Sequence, residues 1–318
     1  MPSPAEMLVG IRELMPDAAR HVPDQHVVSQ VVLKQFAEAY GKKGEVLLAA
    51  LNREHSASKM TTGGPEKFGK MPDFVRFASG SAEELWQRTE TRLHDVIEAV
   101  KRDGKVSDPA HDAVIRDSIA LHFVRSIPTR AYHQASWAKH REAARQRLRA
   151  QPRLLQQIHV HRFGWWTSEP ERLEQAIDWF YGPLDALVGS DALFRYSLEE
   201  RLGRLRTGFR AFALKILTAH QREFLIGDVP VLAMREGRGG LGIFDGVGVA
   251  NADEIVLPLT SHHVAVLGKG SRATDATDNE VERYNTLEVL IAYKHVYFRP
   301  TSGLDEFART VLAAPESP

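Results

Sequence analysis

The sequence of 318 residues contains no cysteine. This absence excludes disulfide bonds and thiolate metal sites, so a bound metal ion would need His, Asp, Glu or water as ligands. A cysteine-free chain is compatible with a reducing compartment. We therefore expect a cytoplasmic protein.

Long apolar runs are also missing. No stretch approaches the roughly 20 apolar residues that a helix needs to span a bilayer. Residues 1–6 lack the basic segment followed by an apolar core that marks a signal peptide. We expect no membrane partner.

The chain has no excess charge of either sign, because 41 Lys and Arg residues balance 41 Asp and Glu residues. Net charge therefore provides no long-range attraction to nucleic acid or to an anionic membrane. One local exception is a predicted helix over residues 131–149, which carries Arg141, Arg145, Arg147 and Arg149. Nucleic acid is thus a candidate partner without support from the net charge, and the interleaved Glu142 favours an ordinary solvated face.

Several well-marked catalytic motifs are absent: H-E-x-x-H, G-x-S-x-G and the Walker sequence. Residues 237–242 match G-x-G-x-x-G on paper. A dinucleotide site needs the last glycines to open a helix that receives the pyrophosphate, whereas the following residues read as strand and turn. We interpret this segment as a hairpin loop.

Hydrophobic residues make up 43% of the chain, which is enough for a sizeable core. Up to residue 220 the apolar spacing is mainly helical. Ser81 and Glu84 form a capping-box pattern that predicts a helix start at residue 82. The stripe that runs from Leu198 to Ile216 predicts one central helix.

After residue 220 the apolar runs are short and broken by Gly, Pro and Asp, which is typical of strands. We predict strands at 224–226, 231–234, 255–259, 264–267 and 295–298, with helices at 280–293 and 304–312. The predicted fold is α+β. A helix-rich body with a short N-terminal strand (residues 1–220) precedes a small, mainly antiparallel sheet with closing helices (residues 221–318), and both parts pack as one unit.

Residues 29–40 are predicted to be helical. His26 and Gln30 are polar residues in an otherwise apolar segment at the start of this region. Because they are four residues apart, a helix would place both side chains on one face. His26 could therefore take part in chemistry. The alternative is that its ring bonds to buried backbone groups.

Arg125 and Asp228 each follow an apolar segment. A buried guanidinium must find an anionic or carbonyl partner, so Arg125 could bind phosphate or form a structural salt bridge. Asp228 could be a metal ligand, a general base, the partner of Arg125 or a turn cap.

Two histidine pairs also stand out. His159 and His161 are two apart in a predicted extended stretch and could face one side as metal ligands, whereas the adjacent His262 and His263 would lie on opposite faces of a strand. Surface or packing roles are the alternative for both pairs.

Together these segments resemble the DUF4238 family, a bacterial group of unknown function. The family's opening pattern, close to His-His-x-Val-Pro-Gln-x-x-Leu-x-x-Phe, is matched by Gln25, His26, Val28, Ser29, Gln30, Leu33 and Phe36. Gln25 replaces the first histidine and Ser29 the proline. Other family elements are matched by Glu83 and Glu90; by Arg125, Ser126 and Pro128; by Gly227, Asp228, Val229 and Pro230; by Leu257, Pro258 and Leu259; and by Asn285 and residues 296–298.

The resemblance supplies no reaction, so two functions remain open. The first is a ligand-binding or regulatory module with a buried polar centre and an unknown ligand. The second is a metal-dependent hydrolase acting on a phosphodiester or nucleotide. In it the catalytic residues would be His26, Gln30, Arg125 and Asp228, and a divalent cation would be held by Glu83, Glu90 and Asp228.

Overall fold

The computed structural model describes residues 4–40, 45–57, 59–235, 249–268 and 274–314. In these residues the helices are α1 (Pro4–Glu13), α2 (Gln30–Leu33), α3 (Ser79–Asp103), α4 (Pro109–Val124), α5 (Ile127–Arg149), α6 (Pro152–Phe163), α7 (Pro170–Gly189), α8 (Ala192–Gly208), α9 (Asp278–Ile291) and α10 (Leu304–Ala313). Short 3-10 turns occur at Met15–Asp17, Lys34–Phe36, Pro65–Lys67, Phe209–Ala211 and Val249–Asn251.

The strands are β1 (Asp24–His26), β2 (Glu38–Tyr40), β3 (Glu45–Asn52), β4 (Thr61–Gly63), β5 (Lys70–Pro72), β6 (Ala213–Thr218), β7 (Ile226–Gly227), β8 (Leu232–Met234), β9 (Glu254–Thr260), β10 (His263–Gly268) and β11 (His295–Phe298). Many helices and small antiparallel sheets confirm the α+β prediction.

Within the described residues, three antiparallel sheets join distant parts of the chain. One has the order β6-β10-β9-β8, another has the order β2-β3-β11-β7 with β4 on β3, and β1 pairs with β5. Strand β3 lies beside β11, and β6 lies beside β10. Strands on either side of residue 220 are therefore hydrogen-bonded to each other.

The largest cluster of buried side chains lies between the long helices and the sheets. Helix α4 packs between α3 and α8. Its Ile115 and Ile119 belong to the same cluster as Leu93 of α3, Leu198 of α8 and Val264 of β10. Each fully buried aliphatic side chain contributes about 1.5–3 kcal/mol relative to exposure, so this cluster is the main stabilising feature of the fold.

The predicted capping box at Ser81 and Glu84 is wrong. Helix α3 begins at Ser79, after Ala78 in the left-handed conformation. Ser79 Oγ accepts a hydrogen bond from Val22 N and donates one to Arg20 O, so packing of a preceding segment determines the helix start. The capping box that does form joins Thr277 and Glu280 at the start of α9.

In two places the apolar pattern that predicted a helix continues beyond the residue at which the helix ends. Residues 29–40 form one helical turn, a 3-10 turn and β2. Helix α8 ends at Gly208, and the remaining residues of the apolar stripe up to Ile216 lie in a 3-10 turn and in β6. Arg116 donates to the carbonyl oxygens of Phe209 and Phe212 and thereby holds that turn against α4.

The arginine-rich face of α5 packs against acidic residues of α7. Arg141 lies 2.6 Å from Asp185, Arg145 lies 2.7 Å from Asp178, and Arg149 lies 2.6 Å from Glu174. A small separate core of Leu148, Leu155, Ala176 and Ile177 joins α5, α6 and α7. The three arginines therefore hold α5 against α7, and nothing in their pairing indicates a nucleic-acid surface.

The other sequence features have simpler outcomes. His159 and His161 lie in helix α6, so the predicted extended stretch is wrong, and residues two apart on a helix point in different directions. The G-x-G-x-x-G segment at 237–242 lies outside the described residues. No helix in the described ranges is both long and apolar enough to cross a membrane.

Helix α9 holds the chain that enters β7 through the buried side chain of Asn285. Its Oδ1 accepts a hydrogen bond from Leu225 N at 3.0 Å, and its Nδ2 donates to Glu223 O at 2.8 Å. One amide thus satisfies two backbone groups of a segment that forms few strand bonds of its own.

We predict that Asn285→Ala lowers the free energy of unfolding by about 1–3 kcal/mol for each backbone group left unsatisfied. Asn279→Ala, an exposed position on the same helix, is the control and should change stability by less than about 0.5 kcal/mol. Urea unfolding measures both. Equal effects of the two substitutions would contradict the anchoring role of Asn285.

Candidate functional site

The segment that carries His26 is held in place by two distant residues. Ser29 caps α2, since its Oγ accepts a hydrogen bond from Val31 N, and its own N–H donates to Nε2 of His122 at 3.1 Å. Gly69 N donates to the hydroxyl of Tyr297, while Gly69 O accepts from Val27 N. Gly69 has a φ of +66°, a conformation that side chains disfavour. The backbone around His26 is therefore fixed by α4 and β11.

His122 is a neutral imidazole at the bottom of the site. It is 0% exposed, and its Nδ1 lies 2.8 Å from Ser118 O. Because Nε2 accepts the bond from Ser29, Nδ1 must carry the hydrogen. Burial, and next the charge of Arg125, lowers the pKa of His122 to about 4.

His26 and Gln30 form the predicted pair, with His26 Nε2 2.8 Å from Gln30 Nε2. A glutamine amide nitrogen only donates, so His26 Nε2 is the acceptor, and its other nitrogen donates to the backbone of Glu66. Burial, followed by the charges of Lys70 and Arg125, lowers the pKa of His26. The ring is therefore a half-buried neutral base.

Arg125, at the end of α4, is the most enclosed charge of the site, with 1% of its surface exposed. Its Nη2 lies 2.7 Å from Glu90 Oε1, and its guanidinium lies 5.1 Å from the centre of the Trp86 ring. Nη2 is thus engaged by Glu90, whereas Nε has no hydrogen-bond partner among the described residues. A buried guanidinium with one unused donor nitrogen is prepared for an acceptor.

Glu83 and Glu90 lie two turns apart on α3, and both interact with Arg125. Burial alone would raise the pKa of Glu90, but Arg125 outweighs it and lowers that pKa. Burial raises the pKa of Glu83 to about 7, against the opposing effect of Arg125 and with a further increase from Glu90. Glu83 therefore exchanges a proton near neutral pH, and its buried Oε1 has no hydrogen-bond partner in the part of the chain that the structure describes.

Asp228 has a different environment. Its carboxylate accepts hydrogen bonds from the backbone N–H groups of Tyr293, Lys294 and His295 at 2.7–3.0 Å. It therefore caps the turn between α9 and β11, and the ionic partner of Arg125 is Glu90. Burial raises the pKa of Asp228 to about 6.

Glu288 is a buried acid beside Asp228 that the sequence analysis missed. It is 0% exposed, and its Oε2 accepts a hydrogen bond from Gly227 N at 2.7 Å, whereas Oε1 finds no hydrogen-bond partner within the described ranges. Burial, with a further increase from Asp228, raises its pKa to about 8. The one available signal was its position one turn after Asn285 on the same face of α9.

The structure thus brings together His26, Gln30, Glu83, Glu90 and Arg125, which we call the polar centre, and places Asp228 in the separate turn. The described residues contain no group of three or more His, Asp or Glu side chains that could hold a metal ion. Glu83, Glu90 and Asp228 therefore do not form the predicted ligand set. Sequence reasoning also missed His122 and Trp86, which enclose Arg125 and read as ordinary core residues of their helices.

A protein-family model described as "Protein of unknown function (DUF4238)" matches residues 24–302. The chain belongs to the DUF4238 family. No curated protein and no solved structure matches this chain. The polar centre and the Asp228 turn both lie within the region that defines DUF4238.

The two departures from the family pattern have structural roles in this DUF4238 member. Ser29 supplies the α2 cap described above. Gln25 is fully buried, and its Oε1 accepts a hydrogen bond from Val75 N at 2.6 Å. Its Nε2 donates to none of the residues that the structure describes.

Glu288→Gln should remove part of the pH dependence of stability. The folded-state pKa of about 8 lies above the ordinary value of 4.5. The folded state therefore binds more protons between these values, and its stability falls as pH rises towards 8. Glutamine keeps the acceptor for Gly227 N and cannot ionise, so the variant gains stability relative to wild type as pH rises.

The measurement is urea unfolding of both proteins across this pH range, with Glu282→Gln on the exposed side of α9 as the control. A stability difference between Glu288→Gln and wild type that does not change with pH would contradict the buried, protonated state of Glu288.

Proposed function

We propose that this DUF4238 protein is a ligand-binding module and that its polar centre binds a small oxyanion, such as a carboxylate or a phosphate group. The observation that carries this proposal is Arg125, a buried cation whose Nε lacks a hydrogen-bond partner among the described residues. Guanidinium nitrogens match carboxylate and phosphate oxygens in geometry and charge. An oxyanion at this position would accept a hydrogen bond from Nε.

Access to Arg125 would run along the outer edge of the polar centre. Glu83, His26 and Gln30 are half-buried, and the side chain of Glu90 is 20% exposed. Lys70 is exposed and close enough to lower the pKa of His26. The side that faces solvent therefore presents an additional positive charge to an approaching anion.

Glu83 would make binding depend on pH. In its protonated form this carboxyl group is neutral and can donate a hydrogen bond to the same anion, whereas in its ionised form it repels the anion. Since its pKa is about 7, the exchange falls in the neutral range. Anion binding should therefore weaken as pH rises through that value.

The alternative function is hydrolysis of a phosphodiester or nucleotide. A neutral imidazole at His26 and a protonated carboxyl group at Glu83 favour it, because together they could accept and donate a proton. Its predicted cation site receives less support, since Asp228 is engaged with backbone N–H groups. In this alternative a divalent cation would rest on Glu83 and Glu90 alone.

Two further parts of the proposal rest on the sequence. The lack of cysteine supports a cytoplasmic location. The family resemblance supports a bacterial source.

We predict that the protein binds sulfate, a probe that stays a dianion across the neutral range, and that its affinity falls as pH rises through about 7. Arg125→Lys keeps a cation for Glu90 but loses the guanidinium fork. It should lower the affinity at least about tenfold, because one charge-assisted hydrogen bond contributes about 1.5–3 kcal/mol. Isothermal titration calorimetry measures the affinity.

The substitution Glu83→Gln separately tests whether protonation of Glu83 causes the pH dependence of anion binding. This variant resembles the protonated form, so it should retain sulfate binding and lose the pH dependence. Glu84→Gln, at the neighbouring exposed position, should behave as wild type. Absence of sulfate binding in folded wild-type protein below pH 7, or unchanged affinity in Arg125→Lys, would refute the proposed function.

The alternative function, hydrolysis, is tested by a cleavage assay. A chromogenic phosphodiester should be cleaved in the presence of manganese if the alternative holds, and His26→Gln should abolish cleavage without abolishing sulfate binding. Binding without cleavage would leave the binding module as the function.

A further inference from the structure

A cavity of about 560 Å³ lies between the first half of α4 and the C-terminal end of α8. Its lining residues are Asp112, Ala113, Arg116, Asp117, Arg206 and Arg210. Along α4, the one nearest to Arg125 is Asp117, and a helix places these two residues about 12 Å apart along its axis. Sites for small molecules have volumes of about 300–1,000 Å³. The cavity is therefore of suitable size for a ligand and is separate from the polar centre.

Two arginines of the cavity are held in place by carboxylates of α4. Arg116 donates to both oxygens of Asp112, with Nη2 3.1 Å from Oδ2, and its Nη1 holds the turn that follows α8. Arg206 donates from Nε to Asp117 Oδ1 at 3.0 Å. The side chains of Arg116 and Arg206 are only 15% and 34% exposed. The walls of the cavity are therefore positioned before a ligand arrives, which reduces the entropy lost on binding.

The cavity contains donor nitrogens that the protein does not use. Nη1 and Nη2 of Arg206 make no hydrogen bond within the described ranges. Arg210, in the 3-10 turn that follows α8, has neither a hydrogen bond nor an ion pair with any residue that the structure describes. A guanidinium group only donates hydrogen bonds. These nitrogens are therefore available to an acceptor from solution.

The charges of the lining favour a ligand with one negative charge. Three guanidinium groups and two carboxylates line the cavity, so one positive charge is uncompensated. A carboxylate carries one negative charge and two acceptor oxygens that fit the guanidinium fork. A phosphate monoester carries about −1.5 to −2 at neutral pH and would place excess negative charge beside Asp112 and Asp117. Nucleic acid, with a charge on every phosphate, is disfavoured for the same reason.

We propose that this cavity binds the carboxylate group of a small organic monoanion, with Arg210 and the Nη nitrogens of Arg206 as its hydrogen-bond donors. A carboxylate group fills only a small part of the cavity, so the remaining volume is available to the organic part of the ligand. The site shares no residue with the polar centre, and its ligand binds independently of an anion at Arg125.

Three probes that carry the same butyl chain test the charge requirement: pentanoate, butyl phosphate and butanol. Their affinities for the full chain are measured by ligand-observed NMR titration at neutral pH. Pentanoate should bind most tightly, because it alone balances the charge of the lining. Butanol, which lacks a negative charge, should bind least.

Arg210→Ala should lower the affinity for pentanoate about tenfold or more, the ratio that corresponds to the loss of one charge-assisted hydrogen bond. Arg204→Ala is the control, because it removes the same charge from an exposed position of α8 that pairs with Glu200. It should leave the affinity unchanged. Both substitutions are measured in Arg125→Lys protein, where the polar centre is impaired, and in wild type, where Arg210→Ala should remove one class of binding site.

Asp117→Asn tests the charge balance within the cavity. Asparagine keeps an oxygen that accepts the hydrogen bond from Arg206, and it removes one negative charge from the lining. Two positive charges are then uncompensated, so the affinity for butyl phosphate should rise relative to that for pentanoate. A residue with a purely structural role would not change the order of preference between these probes.

Folded protein that binds pentanoate no more tightly than butanol, or an Arg210→Ala variant that binds it like the parent protein, would overturn the proposal. An equal loss in Arg204→Ala would attribute binding to diffuse positive charge and overturn it as well. Loss of all pentanoate binding in Arg125→Lys would assign the probe to the polar centre and refute the second site. Failure of wild type to bind sulfate, in contrast, refutes only the function proposed for the polar centre.

Discussion

The enclosed guanidinium of Arg125 determines the state of every group around it. Removing a cation from water costs several kcal/mol even after the protein relaxes, so the surroundings must offset that cost. Glu90 supplies the opposite charge, and the face of Trp86 supplies a weaker attraction.

The same cation also explains the protonation states of the polar centre. His122 and His26 stay neutral because burial and the nearby positive charge both disfavour an imidazolium. Burial raises the pKa of Glu83, and the charge of Glu90 raises it further against the opposing effect of Arg125. One compensated ion pair and one exchangeable proton therefore follow from burying these three charged side chains together.

Much of the fold could be predicted from local sequence patterns. Strand β9 at Glu254–Thr260, strand β11 at His295–Phe298 and helix α10 have the bounds, or nearly the bounds, that their apolar periods indicated. These elements each have one regular pattern bounded by polar or turn-forming residues. The errors arose where a helical period crossed a change of structure, as it does at Gly208, because Arg116 holds the following turn through long-range hydrogen bonds.

Residue types also indicated most of the polar centre, since charged and amide side chains in apolar surroundings need partners wherever the chain folds. His26, Gln30 and Arg125 were found in this way. The choice of partner was not accessible by the same route. The sequence allowed Asp228 to be the ionic partner of Arg125. In the structure its carboxylate instead accepts hydrogen bonds from three backbone N–H groups of the turn between α9 and β11.

The sequence by itself determined the elements, the α+β class and which polar groups would be costly to bury, because these depend on short-range periodicity and on side-chain chemistry. Tertiary structure alone decided that Glu90 and Trp86 meet Arg125, that Glu288 lies beside Asp228, and that Trp165, Trp166 and Trp179 remain exposed. Each of those contacts joins residues whose approach depends on how helices and sheets pack, and a local pattern carries no information about that packing.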